Sequence, residues 1–338
     1  MAADRRVVLF GYAGGQNLGD EAILAGTLAL LRARAEPCTP VVVSLDAADT
    51  ERRHQVVAWP RRRLLALLRS LGPDDRFLLG GGGLLQDATS AGSLAYYLKA
   101  AAAAGRRCPV GYWAIGAGPL SAIGRWMLRQ APWPAVAVGR EEDTLAILRR
   151  AGLPPDRLVR GADAAYALTP RAARKRAGGW IGFAPRSAPG VDVAAIAARV
   201  VERARRSGRR VRIVAMDQRE DRALARQLAQ TLAPWAEFAA LPEAPEGIPA
   251  VFSELDYVVA VRLHALILAA LAGVPGVAVA YDPKVEREAR LLGMPLWSEW
   301  TDESDAPPHL GHEPLGAVVA ARRELAAAAF SQMWQALA

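Results

Sequence analysis

Lysine is nearly missing from this chain. Of 42 basic residues only Lys99, Lys175 and Lys284 are lysines, and the remainder are arginines. Cysteine is equally scarce, with Cys38 and Cys108 alone and no CxxC pair. A disulfide framework and a thiolate metal site are thereby excluded, and a reducing cytosol is the expected compartment. There is no HExxH, no DxD pair and no Ser-His-Asp elbow, and neither GxGxxG nor GxxxxGK[ST] occurs. No internal repeat is present, and the N-terminus leads straight into a strand with no expected signal segment. The apolar run over residues 263–281 is long enough to mimic a membrane span. Gly273-Val274-Pro275-Gly276 interrupts it, so a buried helix followed by a strand is expected.

The chain has 338 residues, which favours two domains over one. Hydrophobic residues make up 52% and charged residues 22%, a globular balance. The net charge is +8 and the pI about 10.0, so anionic partners are favoured. The basic residues are scattered, and no strip interleaves them with aromatics, so nucleic acid is not the expected partner. Acidic lipid and phosphorylated small molecules remain.

Strands and helices alternate. Strands are expected at 6–10, 41–45, 76–79, 110–115, 135–138 and 158–160, with helices at 20–34, 88–104, 120–130 and 141–151. A polar, basic stretch at 169–179 reads as a linker. The pattern then restarts, with strands at 180–184, 211–216, 238–241, 258–261 and 276–280. Helices are expected at 191–207, 218–232, from 263 onward, and at 283–292. An Ala-rich amphipathic helix closes the chain over 313–338, expected to pack back on the first domain. The fold class is therefore α/β, with two Rossmann-like domains, residues 1–170 and 178–312, facing a cleft.

The most informative stretch is Val258-Val259-Ala260-Val261-Arg262-Leu263-His264, a buried strand running into a buried helix. Arginine and histidine are costly to bury beside apolar surface. Here they fall at the carboxyl end of a sheet, where α/β folds bind ligands. Arg262 suits an anion, and His264 suits proton transfer. Lys284, in Tyr281-Asp282-Pro283-Lys284, opens the next helix. Arg186 follows another strand, and Arg140 sits at a helix start against the dipole gradient. For Arg140 the competing reading is an ion pair with Glu141, Glu142 or Asp163, and for Arg186 a solvated side chain.

Two glycine-rich stretches complete the picture. Gly14, Gln16, Asn17 and Asp20 lie between the first strand and first helix, where exposed N–H groups suit a polar ligand. Asp20 reads equally well as a helix cap. Gly80-Gly81-Gly82-Gly83 is expected as a loop that brings backbone close to a ligand, with Gln86 and Asp87 available for sugar hydroxyls. The competing reading is a tight backbone crossing. His309 and His312 fall in a Pro-rich loop without a carboxylate pattern, so no metal site is expected.

Taken in order, GYxGxxNxGDEAIL at 11–24, GGGxLLQDxTS at 81–90, RxEDT at 140–144, RLHALILAALAGVP and YDPKV resemble the polysaccharide pyruvyltransferase family. The resemblance is greatest to its CsaB-like branch, which acts on secondary cell-wall polymers that anchor S-layers. It implies a GT-B-like fold and phosphoenolpyruvate as donor, with no further cofactor. It also implies a 4,6-linked pyruvate ketal on N-acetylmannosamine of a lipid-diphosphate-linked saccharide. Arg140 and His264 take catalytic positions, Arg262, Lys284 and Arg186 the donor side. Gly14, Gln16, Asn17, Asp20, Gly82, Gln86 and Asp87 take the acceptor side. Departures are Arg140-Glu141 for RD, Ala162-Asp163-Ala164 for ADP, and Ala184-Pro185-Arg186-Ser187-Ala188 for SLRPW. A cytoplasmic enzyme, peripheral at the inner membrane face through its basic surface, follows. The rival expectations are a GT-B glycosyltransferase using a nucleotide sugar and a non-catalytic sugar-binding protein.

Overall fold

The computed structural model describes residues 5–169, 179–239, 242, 245–300 and 314–338. The His309–His312 pair and most of the expected linker lie outside them. The chain divides into two compact units. The first comprises Met1–Gly15, Ile23–Leu168 and Arg322–Ala338; the second comprises Gln16–Ala22 and Thr169–Ala321.

The first unit holds a seven-stranded sheet. Its strands are β1 (Arg6–Ala13), β2 (Thr39–Ser44), β3 (Val57–Pro60), β4 (Arg76–Leu85), β5 (Val110–Ala117), β6 (Val136–Gly139) and β7 (Leu158–Arg160). They lie in the order β3-β2-β1-β4-β5-β6-β7, every pair parallel. The central strands are apolar on both sides, as a sheet covered on both faces requires. The connecting helices are α1 (Leu18–Arg32), α2 (Ala47–His54), α3 (Leu64–Ser70), α4 (Ala91–Ala104), α5 (Ala122–Gln130) and α6 (Glu142–Ala151). Steps toward β7 by right-handed crossovers put α3, α4, α5 and α6 on one face, each touching the next. Leu64, Leu67, Leu94, Leu98, Leu128 and Leu148 pack into one core beneath them.

The second unit carries β8 (Trp180–Ala184), β9 (Arg210–Ile213), β10 (Ala236–Phe238), β11 (Tyr257–Ala260) and β12 (Gly276–Ala278). They form a parallel sheet in the order β10-β9-β8-β11-β12. Its helices are α7 (Val193–Arg206), α8 (Arg222–Thr231), α9 (Leu263–Leu271) and α10 (Pro283–Leu291). Helix α9 is buried from Ala265 to Leu271, so it behaves as a core element. A last helix, α11 (Leu315–Ala336), begins in the second unit and continues in the first. There Phe330 meets Trp113 edge-on at 4.9 Å, and Trp334 donates to Glu36 at 3.0 Å.

Several expectations are corrected. The four glycines are not a loop but part of β4, which runs on to Leu85. Gly80, Gly81 and Gly82 take φ of 148°, 75° and 102°, and a β-carbon on Gly80 would meet the Trp113 carbonyl oxygen at 1.9 Å. One on Gly81 would meet Ile23 at 2.3 Å. Close packing demands glycine at those two positions. Helix α1 starts at Leu18, and its cap is Asn17, not Asp20. The Asn17 Oδ1 accepts from the Gly19 N–H at 2.9 Å and the Asp20 N–H at 3.4 Å. Strand β9 ends at Ile213, and α8 begins only at Arg222. Elements α2, β3 and α3 were not expected.

Candidate active site

In the second unit the carboxyl ends of three adjacent strands carry the expected cations. Arg186 follows β8, Arg262 and His264 follow β11, and Lys284 follows β12. Arg262 stands at the N-cap of α9 in extended backbone, and its side chain makes no capping bond. Its Nε and Nη2 donate to the Asp221 carboxylate at 2.9 and 2.7 Å, and Nη2 also reaches Glu220 at 2.8 Å. Asp221 is 1% exposed. Burial pushes its carboxyl up, and the guanidinium opposes that rise. Burial likewise works against the Arg262 charge, but the Asp221 hydrogen bonds override it and hold the guanidinium protonated. The fork expected to grip a donor is therefore closed on protein carboxylates. Among the described residues, only Nη1 is left for a further anion.

Arg186 donates from Nη1 to the Tyr281 hydroxyl at 2.7 Å and approaches Glu220 at 3.8 Å. Glu220 thus sits between two arginines. Burial raises the Tyr281 hydroxyl, so it stays a neutral acceptor for Arg186. Lys284 is half-exposed, with its Nζ 3.1 Å from Asp282. Asp282 caps α10 by accepting from the Lys284 N–H at 3.0 Å, and its carboxyl is pulled down despite partial burial.

The segment Gln16–Ala22 is built into this unit. Asn17 donates from Nδ2 to Asp217 at 3.0 Å, and the Leu18 N–H meets the Met216 carbonyl at 2.8 Å. Asp217 and Asp221 are themselves linked, the Asp217 N–H donating to Asp221 Oδ2 at 3.0 Å. A continuous path runs from Asn17 through Asp217 and Asp221 to Arg262. The His264 imidazole packs against Gly19, where a β-carbon would stand 2.3 Å from Nδ1. Gln16 is exposed with φ of 61°, and its carbonyl accepts from the Gln218 N–H at 3.0 Å. Asp20 is half-buried in the first turn of α1.

The first unit positions the other expected residues. Arg140 follows β6 and is 7% exposed. Its Nη1 donates to Asp163 at 2.8 Å and its Nε to Glu141 at 3.1 Å, so the ion-pair reading applies. Its guanidinium lies 3.1 Å from where a β-carbon of Gly116 would be, and near Gly83. Glycine at 116 leaves room for that side chain. Gln86 closes a local turn with Thr89, donating from Nε2 at 2.8 Å. Asp87 takes the Ser121 N–H at 2.9 Å and the Ser121 hydroxyl, which hold its carboxyl below the usual range. It fixes the start of α5. Gly14 takes φ of 69° against Ser44, and Gly82 is buried in β4.

Sequence reading named Asp163 as an alternative partner of Arg140 but missed Asp217, Glu220, Asp221 and the contact of Tyr281 with Arg186. The only signal was acidity just after β9, a strand end next to that of Arg186. Among the described residues no cluster of three or more His, Cys, Asp or Glu could hold a metal ion.

Three solved structures share this architecture at low identity. HepE from Anabaena in complex with UDP-glucose is 12% identical, with 98% of this chain and 95% of that one covered and a TM-score of 0.55. UDP-GlcNAc 2-epimerase from Neisseria meningitidis bound to UDP-GlcNAc is 12% identical, with 98% and 99% covered and a TM-score of 0.58. MnaA of S. aureus with UDP is 10% identical, with 99% and 90% covered and a TM-score of 0.60. These likenesses show the fold, a GT-B-type pair of Rossmann-like sheets. No curated protein matches the chain. The profile of the polysaccharide pyruvyl transferase family matches residues 17–283, from the Asn17 cap to the start of α10, and the chain belongs to that family.

Proposed function

We propose that the protein transfers pyruvate from phosphoenolpyruvate to a sugar as a 4,6-ketal, releasing phosphate. N-acetylmannosamine of a lipid-diphosphate-linked cell-wall precursor is the acceptor this reading favours. One observation carries it beyond family membership: Arg186, Arg262, His264 and Lys284 follow three neighbouring strands of one sheet. Phosphoenolpyruvate presents a carboxylate and a phosphate on a three-carbon frame, and such a ligand needs several cations at short range. Lys284, with its partly exposed ammonium, supplies one contact. Arg186 and Nη1 of Arg262 supply others.

The chemistry follows from the donor. The methylene carbon takes a proton, C2 becomes electrophilic, and a sugar hydroxyl forms the first C–O bond while losing its proton. A second hydroxyl then attacks C2 and gives up its proton, the C–O bond to phosphate breaks, and phosphate leaves with that electron pair and takes up the proton. His264 transfers one of these protons, as acid toward the methylene or as base toward a hydroxyl. The protein requires no further cofactor and works at the cytoplasmic side, where a lipid-linked acceptor is made.

A second reading has its own support. HepE and the epimerase were solved with UDP-sugars, and the same cations suit a diphosphate. Phosphate release from phosphoenolpyruvate across a panel of lipid-linked saccharides, with mass analysis of the sugar product, separates the two. A pyruvyl ketal is the expected product. A sugar gained from a UDP-sugar, or thermal stabilisation by UDP-sugars alone, overturns the proposal, and absence of all turnover favours a non-catalytic sugar-binding role.

A further inference from the structure

Three of the four helices on one face of the first unit, α3, α4 and α5, carry charge of one sign only; the acids Glu142 and Asp143 of that face are on α6. The stretches 61–70, 91–107 and 122–130 contain four, three and two basic residues, nine in all, and no Asp or Glu. The opposite face differs: there α1 and α2 mix Asp49 and Glu51 with Arg32, Arg52 and Arg53. The basic layer also bears large apolar side chains that nothing in the first unit covers. Leu65 on α3 is 68% exposed, and Ile123 and Trp126 on α5 are 59% and 60% exposed. Ile123 and Trp126 are three residues apart, so they form one ridge along α5, bordered by Arg125 and Arg129. Lys99 stands exposed on the intervening helix α4.

We infer that this face is a docking surface for an anionic bilayer. Exposed Trp and Ile among arginines match the interfacial zone, where an amphipathic ring sits at headgroup level and basic side chains meet acidic lipid. Nucleic acid would use the charge but leave Leu65 and Ile123 without a partner. The placement also suits the loops beside it. Asp87 at the end of β4 holds Ser121, the cap of α5, so Ile123 lies in the turn next to that loop. A saccharide on a membrane-held lipid would meet the first unit there. That purpose rests on the pyruvyl-transfer reading; the docking surface does not.

Flotation of the full chain with vesicles tests it, without substrate. Vesicles of phosphatidylcholine with phosphatidylglycerol should carry the protein, and phosphatidylcholine alone should not. Ile123→Ser with Trp126→Ser should weaken partitioning at least about tenfold, the scale of losing two buried apolar side chains. Lys99→Ala with Arg129→Ala should weaken it about fivefold per charge removed. All four positions are exposed, and unchanged melting temperatures will confirm that the variants fold. Equal flotation with both vesicles, unaltered flotation of both variants, or capture of single-stranded RNA in place of vesicles overturns the inference.

Discussion

A β-carbon on Gly19 would stand 2.3 Å from Nδ1 of His264 and 2.8 Å from its Cβ. The absence of a side chain on α1 therefore sets where the imidazole of α9 rests. Gly19→Ala should push the ring aside while leaving the helix intact. The expected loss in kcat for phosphate release is about tenfold to a hundredfold, the scale of a catalytic group displaced by an ångström. His264→Ala should lose about 10²–10⁴-fold. Full activity in His264→Ala would remove it from the chemistry.

Among the described residues Lys284 pairs with Asp282, and it is half-exposed, so its ammonium is available to a donor anion. Lys284→Ala should raise KM for phosphoenolpyruvate, with a smaller change in kcat. Steady-state kinetics at fixed acceptor measures this, and an unchanged KM would argue against the contact.

Asp221 and Arg262 form an almost fully buried pair, 1% and 11% exposed. Asp221→Asn leaves the guanidinium against a neutral amide. Breaking a buried pair from one side costs about 3–5 kcal/mol, to be read by urea unfolding. Replacing both residues, as Asp221→Leu with Arg262→Met, should recover most of that stability but not activity.

Burial pushes the Cys108 thiol up to about 11, with its Sγ facing the Ala104 carbonyl. Cys38 is half-buried instead. A thiol reagent at pH 8 should label one cysteine in the native protein, the reactive form being the thiolate. Both should react after unfolding. Mass spectrometry locates the label, and fast native labelling of Cys108 would contradict its burial.

Burial disfavours the charge of Asp75, but the Arg6 hydrogen bonds and the Gly72 N–H outweigh it and hold the carboxyl below its ordinary value. A depressed carboxyl adds stability above its unfolded value, near 3.9. That stability is lost as pH falls through the lower folded value. Acid unfolding of Asp75→Asn should therefore depend less on pH below about 4 than that of the parent. Parallel curves would mean that other carboxylates govern the transition.

The alternation of strands and helices was readable because β1, β4, β5 and β11 are continuous apolar runs between breakers. Region 46–75 was not. Helix α2 is dominated by charge after its first two alanines, β3 ends on a proline, and α3 is only seven residues long. None of these gives a clear periodic signal. The cations at strand ends were visible as residues that burial should exclude. The partners of Arg262 and Asn17 were not, because Asp221 lies 41 residues from Arg262 and Asn17 lies 200 from Asp217. Local pattern carries no information about such pairs. The glycine run misled because glycine serves a close packing contact as readily as an open loop. At Gly80 the Trp113 carbonyl, not a ligand, explains the missing side chain.

The division of the chain has a consequence for biosynthesis. The first unit needs Arg322–Ala338, where Phe330 covers Trp113 and Arg76 donates to the Ala338 carbonyl. The second needs Gln16–Ala22, where Asn17 meets Asp217. Emergence from the ribosome therefore cannot complete the first sheet's covering layer before residues 322–338 are made. A nascent chain stalled at residue 170 would expose the apolar surface around Trp113. Nor can the halves be exchanged between relatives as cassettes at that point: each would leave behind a piece of the other.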